Sequence, residues 1–159
     1  MEQKTLSKWL KCILVGAGVC GAVVYFGILP IFGSTLRELY PAERNPYYPW
    51  LFFLWASGIP CYAVLVLGWK IAGNIGADRS FSRSNAKLLG QISILSAADA
   101  AFFFVGNVVL LFLNMSHPSI ALGSLLVVFA GAAISVASAV LSHLVKKAAD
   151  LQEQSDWTI

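Results

Sequence analysis

The sequence predicts an all-α integral membrane protein, a four-helix transmembrane bundle with both termini on the cytoplasmic side. Three observations carry this expectation. The first is composition: 58% of the 159 residues are hydrophobic and only 12% are charged, where a soluble domain carries about 45–50% apolar and about 25% charged residues. The second is that the apolar excess is gathered into four long runs. The third is where the basic residues stand, at the ends of those runs and mostly on alternate connections.

The runs cover about 12–32, 50–69, 88–113 and 120–145. Each is long enough for the ~20 residues a helix needs to cross a ~30 Å hydrocarbon core. Helix is the spanning form open to them, because lipid offers no partner for backbone polar groups. Barrel strands would be shorter and alternate in polarity, which these do not. The chain length suits one domain, 1–159. Lys4, Lys8 and Lys11 precede the first run as in a signal peptide. The run is longer than an h-region, and Gly33, Ser34 and Thr35 follow it in place of an A-x-A-like site, so an uncleaved first helix is expected.

Positive charge sets the orientation. Lys4, Lys8 and Lys11 lie before the first run. Lys70, Arg79, Arg83 and Lys87 lie in the connection 70–87, and Lys146 and Lys147 in the tail 146–159. Only Arg37 and Arg44 fall on the other side. This places the termini and the 70–87 loop in the cytoplasm of a bacterial cell, with the chain in its inner membrane. The net charge of +3, without a basic stripe, gives no footprint for direct nucleic-acid binding.

The outer connection, about Gly33 to Pro49, holds Pro41, Pro46 and Pro49 with Tyr40, Tyr47, Tyr48 and Trp50. The prolines argue against regular helix there. The aromatics suit a headgroup-level belt or a ligand cage. Asn114 to Ser119 reads as a tight outer turn. In the 70–87 loop, Ser82 is placed to cap a helix that runs into the third span, and Phe81 precedes the cap, where it can staple the first turn.

Asp99 is the most informative intramembrane residue. A carboxylate at a span's centre costs roughly 2.5–3.5 kcal/mol on insertion scales, so it should face the protein interior. At 100° per residue, Ser96, Asp99, Phe103, Asn107 and Asn114 share an arc of about 80°. The fourth span offers Gly131, Ser135, Ser138 and Ser142 on one stripe, with Ser135 near the depth of Asp99. The second offers Ser57, Gly58, Pro60 and Tyr62. The first has Gly16, Gly18 and Gly21, with Ala17 and Gly21 spaced small-xxx-small. Small residues permit close approach, and serines bond across helices. Asp99, Ser96, Asn107 and Ser135 are therefore the candidate intramembrane site, serving either a proton, cation or small ligand, or a structural hydrogen bond.

No catalytic set is present: no H-E-x-x-H, G-x-S-x-G or phosphate loop. His117 and His143 fall on opposite sides of the membrane. Cys12, Cys20 and Cys61 have no metal-ligand spacing and read as small buried apolar side chains. No enzyme, metal or cofactor is expected.

At Phe81-Ser82-x-x-Asn85, followed by Ala86-Lys87-Leu88-Leu89, the chain resembles the bacterial YoaS-like family, a domain-of-unknown-function family of small four-span membrane proteins. The resemblance covers most of the chain as a pattern of spans. Members are often encoded beside a small helix-turn-helix regulator of the Cro type, which implies a membrane partner for a transcription regulator. Members also commonly carry an acid between the Ser and the Asn, where this chain has Arg83 and Ser84. The resemblance brings no catalytic residues.

Three functions are compatible with these features. One is a non-enzymatic sensor or regulator whose loop, through Phe81, Ser82, Arg83 and Asn85, binds a cytoplasmic protein. Another is a small homo-oligomeric transporter or channel subunit with Asp99 as coupling acid. The third is immunity against a membrane-active peptide. Besides the lipid bilayer, the partners implied are that cytoplasmic regulator and further copies of the chain. The orientation is testable first. Cysteines placed near Arg44 or His117 should react with an impermeant thiol reagent in intact cells, and cysteines near Arg79 or the C-terminus should not. Labelling near Arg79 from outside overturns the orientation.

Overall fold

The computed structural model describes residues 2–39, 47–116 and 118–156, all helix and tight turn. α1 (Gln3–Ala22) passes through a π-helical turn at Val23–Ile28 into α2 (Leu29–Leu39), so the three make one continuous first span. α3 (Tyr47–Gly76), α4 (Arg83–Phe112) and α5 (Pro118–Asp156) follow. Among the described residues, four stretches are long and apolar enough to cross a membrane: Gln3–Thr35, Tyr47–Gly76, Arg83–Phe112 and Pro118–Ser155.

Every spanning helix is longer than its apolar run, α4 at its N-terminal end only, because a nucleated helix gains a hydrogen bond with each residue it adds. The long connections expected from composition shrink accordingly. Gly33 to Leu39 is helix, and Pro49 sits in the first turn of α3, where its missing N–H costs nothing. Tyr40, Pro41, Arg44 and Pro46 lie outside the described residues, as does His117. Likewise the 70–87 loop is mostly helix: only residues 77–82 separate α3 from α4.

Both described turns end their helices the same way. Asp78 has φ 59° and Asn114 has φ 52°. In each case the residue after the left-handed one donates back to a carbonyl five residues earlier: Arg79 N–H to Asn74, and Met115 N–H to Leu110. This is the Schellman closure, and Asn and Asp are the non-glycine residues that best tolerate its backbone.

The π-helical turn has a local cause. Leu29 N–H reaches back five residues to the Val24 carbonyl. Pro30 is next in that register and has no N–H to give. The Tyr25 carbonyl instead accepts the Trp55 indole N–H of α3 at 3.1 Å.

The spans pack antiparallel in chain order. The first meets α3 through Ser7 with Ala72, Gly18 with Tyr62 and Pro30 with Tyr47. α3 meets α4 through Asn74 with Asn85 and Phe53 with Phe103. α4 meets α5, its most extensive partner, through Ala86 with Ser142 and Ser93 with Ser135. Among the described residues, α1 makes no close backbone approach to α4 or α5, and α3 makes none to α5. The four helices expected from the sequence are thus arranged as an open series, in which each span makes its close backbone approaches to its chain neighbours. Helical periodicity says which face is buried but not how many neighbours cover it.

Gly106 marks the tightest point of the α3–α4 seam. A β-carbon there would run into the Phe53 ring, which is held between Phe102 and Phe103 at centroid distances of 5.3 and 5.4 Å. Gly106→Ala should therefore cost about 1–3 kcal/mol, as overpacking does. Gly123→Ala, with nothing within 4 Å of the added carbon, should cost nothing. Thermal unfolding in detergent measures both, and equal midpoints contradict the packing.

Candidate functional site

Two places in this framework hold polar groups that the packing alone does not require. The first lies at mid-span, where the first span, α3 and α4 come together. Helical side chains slant toward their own N-terminus, so Tyr25 reaches down from the π-helical turn and lays its ring on Gly58, 3.4 Å from where a β-carbon would stand. Its phenol lies beside Ser57 and Cys61. Cys61 Sγ donates to Asp99 Oδ2 at 3.4 Å, and Ser57 lies beside the same carboxyl. The other carboxyl oxygen, Asp99 Oδ1, is buried with no hydrogen-bond partner. A carboxyl, a thiol and two hydroxyls thus share one layer of the membrane. Cys61 is exposed, so the layer opens to the surface of the helix series. Such a set can hold or pass a proton, or accept a ligand's donor at Oδ1.

The residues named from the sequence separate here. Asp99 is in the cluster. Ser96 is buried, beside Gly131 of α5. Ser135 pairs with Ser93, donating to its carbonyl at 2.9 Å, rather than with Asp99. Asn107 donates to the Phe103 carbonyl of its own helix at 2.8 Å and so is satisfied locally. Tyr25 was not singled out, and Cys61, expected with Cys12 and Cys20 to be a small buried apolar side chain, is exposed like them and donates to Asp99. The signals were a polar-tipped aromatic in the middle of the first apolar run, and a thiol one turn beyond Ser57. Among the described residues, no group of three or more His, Cys, Asp or Glu can hold a metal.

The second place is the 77–82 turn, at the end of the molecule where α1 begins and α5 ends. Ser82 has extended backbone and its hydroxyl accepts the Asn85 N–H at 3.3 Å, capping α4. Asn85 is 2% exposed. Its amide donates to the carbonyls of Arg79 and Ser80 at 3.1 and 3.0 Å, and its oxygen accepts from Asn74 at 2.7 Å. The side chain expected on a docking surface is thus turned inward, and it fixes the turn to α3. Phe81 is 61% exposed, so the ring stands in the open instead of stapling the helix start. Ser80 donates to Gln3 at 2.7 Å. Gln3, Asp78, Ser80, Phe81 and Gln152 line a cleft of ≈ 250 Å3. Arg83 is engaged within the chain, pairing with Asp150 at 3.0 Å and Glu153 at 2.8 Å. Those carboxylates stand at the positive end of α4, which favours them, although such exposed pairs are worth only about 0–1 kcal/mol each.

The mid-span cluster makes a definite claim about substitution. Asp99→Asn keeps an acceptor for Cys61, whereas Asp99→Leu removes it. Hydrogen bonds between membrane helices average about 0.6 kcal/mol and reach about 1.7. Asp99→Leu should therefore unfold more readily than Asp99→Asn by that order, measured by thermal unfolding in nanodiscs. Identical midpoints remove Asp99 from the seam's energetics.

The family described as "Protein of unknown function (DUF2975)" matches residues 31–159. The chain is 27% identical over 155 residues to the "Uncharacterized membrane protein YoaS" of Bacillus subtilis (strain 168), an alignment that covers 95% of this chain and 96% of that protein. No solved structure matches. The family match takes in Ser57, Cys61 and Asp99 of the mid-span cluster and the whole 77–82 turn, with Tyr25 lying before it, and this four-span membrane protein belongs to the DUF2975 family.

Proposed function

We propose that the chain is a non-enzymatic membrane sensor or regulator that binds a cytoplasmic protein, such as a small helix-turn-helix transcription regulator, at the 77–82 turn. One observation carries the reading. An aromatic ring stands 61% exposed on a turn that a buried asparagine holds with three side-chain hydrogen bonds. A turn that only joined two helices needs neither feature. Rigid aromatics on preorganised backbone are the residues that anchor protein interfaces. Ser82 shapes this turn, and Arg83 ties it to the end of α5, so a change in the helix seams reaches the same surface.

A second reading has its own support. The unpartnered Oδ1 of Asp99, in an open series of helices, suits a small oligomeric transporter or channel subunit in which Asp99 is the coupling acid and a second copy completes the path.

A photo-crosslinker at position 81, activated in native membranes, tests the first reading. It should give a discrete protein adduct. Phe81→Ala should weaken capture of that protein about tenfold, the order of one interface anchor, with insertion and thermal stability unchanged. Adducts to lipid alone sink the regulator reading.

A further inference from the structure

We propose that the seam between α1 and α3 carries a binding site for the phosphate headgroup of an anionic phospholipid, built from Lys4, Lys8, Lys11 and Trp69. Successive steps of +4 and +3 residues place the three lysines within about 60° of one another on α1. Ser7, which is bonded to α3 at Ala72, and Leu14, which packs on Gly68, lie to one side of that arc, about 40–60° round from Lys11 and about 100–120° from Lys8. Lys11 and Lys4 therefore border the seam, and Lys8 stands beside them one step further round the helix. Lys11 Nζ lies over the Trp69 ring, 5.2 Å from its centroid, so one cation is already fixed in place by the neighbouring helix. Lys4 and Lys8 are exposed. Among the described residues the ion pairs are those of Arg83, so no carboxylate neutralises the triad.

Depth selects the ligand. Lys11 directly precedes the first apolar run, and Lys4 lies about 10 Å further out along the helix. The triad therefore spans the ~5–7 Å headgroup layer at the hydrocarbon boundary. An anion held there by Lys8 and Lys11 keeps its glycerol against the half-exposed Trp69 indole and its acyl chains along the apolar face above. Basic pockets between spanning helices recognise anionic lipids in this way. A free phosphate offers the same charge without the chains.

The test uses the full chain in nanodiscs of phosphatidylcholine with or without phosphatidylglycerol, reading lipid retention by native mass spectrometry. The protein should retain phosphatidylglycerol selectively. K4Q/K8Q/K11Q should reduce that retention at least about tenfold, whereas K87Q/K146Q/K147Q, which removes the same charge elsewhere, should keep it. Trp69→Leu, with charge unchanged, should weaken it a few-fold. All variants are compared at matched helicity and monodispersity, so misfolding is separated from lost binding. Equal losses in the two triple variants overturn the site in favour of diffuse attraction, and an unaffected Trp69→Leu places any binding away from this seam. Displacement of the lipid by glycerol phosphate at equal ionic strength assigns the site to a soluble phosphate and overturns the lipid.

Discussion

Hydrogen bonds from side chains to the backbone carbonyls of the neighbouring helix set the register of this molecule, and they form only where the helices approach closely. In lipid a helix gains nothing by hiding apolar surface, so seams depend on packing and on a few polar contacts. Ser7 donates to the Ala72 carbonyl and Tyr62 to that of Gly18, and Ser142 donates to Ala86. Each hydroxyl stands against a glycine. Ser7 Oγ lies 2.8 Å, Tyr62 OH 3.2 Å and Ser142 Oγ 3.4 Å from where a β-carbon of Gly76, Gly21 or Gly90 would be. The absent side chain is the space the hydroxyl uses. Trp55 follows the same logic at a backbone fault, supplying the Tyr25 carbonyl with the donor that Pro30 lacks.

These seams explain where the two candidate sites lie. The mid-span cluster occupies the point at which the π-helical turn aims Tyr25 at α3, and at which α3 presents Ser57 and Cys61 toward Asp99. The 77–82 turn lies at the end of the α3–α4 seam, where Asn85 carries the register into the connection. Arg83 extends it to α5, and the Ser80 bond to Gln3 brings in the start of α1. The start of α1, the turn and the α5 extension thus share one polar end, while every span leaves large apolar side chains exposed, as a lipid surround requires.

Parts of this were legible in the sequence because they rest on local chemistry. The four runs announce the spans, Ser82 announces a cap, and the spacing of Gly131, Ser135, Ser138 and Ser142 announces a face, which the structure turns toward α4. What was hidden depends on partners distant in the chain. Asn85 looks like a surface residue until Asn74 and the carbonyls of Arg79 and Ser80 surround it. Tyr25 and Cys61 gain meaning only beside Asp99, and Ser135 found Ser93 at the same depth. Prolines and tyrosines suggested a long outer connection, yet Gly33 is buried in helix beneath Tyr47 and Trp50, because those rings cover it from the start of α3. Periodicity marked faces without saying which helix would cover them, so a closed bundle and an open series read alike.

The open series is the feature on which the rest of the arrangement stands, and disulfide cross-linking in native membranes tests it most directly. In a background without Cys12, Cys20 and Cys61, a cysteine pair replacing Ser93 and Ser135, whose hydroxyls lie 3.3 Å apart, should close within the monomer under mild oxidation. Pairs joining residues 13–24 of the first span to residues 127–140 of α5 should remain open. Efficient intrachain closure of those pairs would show that the first and last spans meet as in a closed bundle, and would contradict the series.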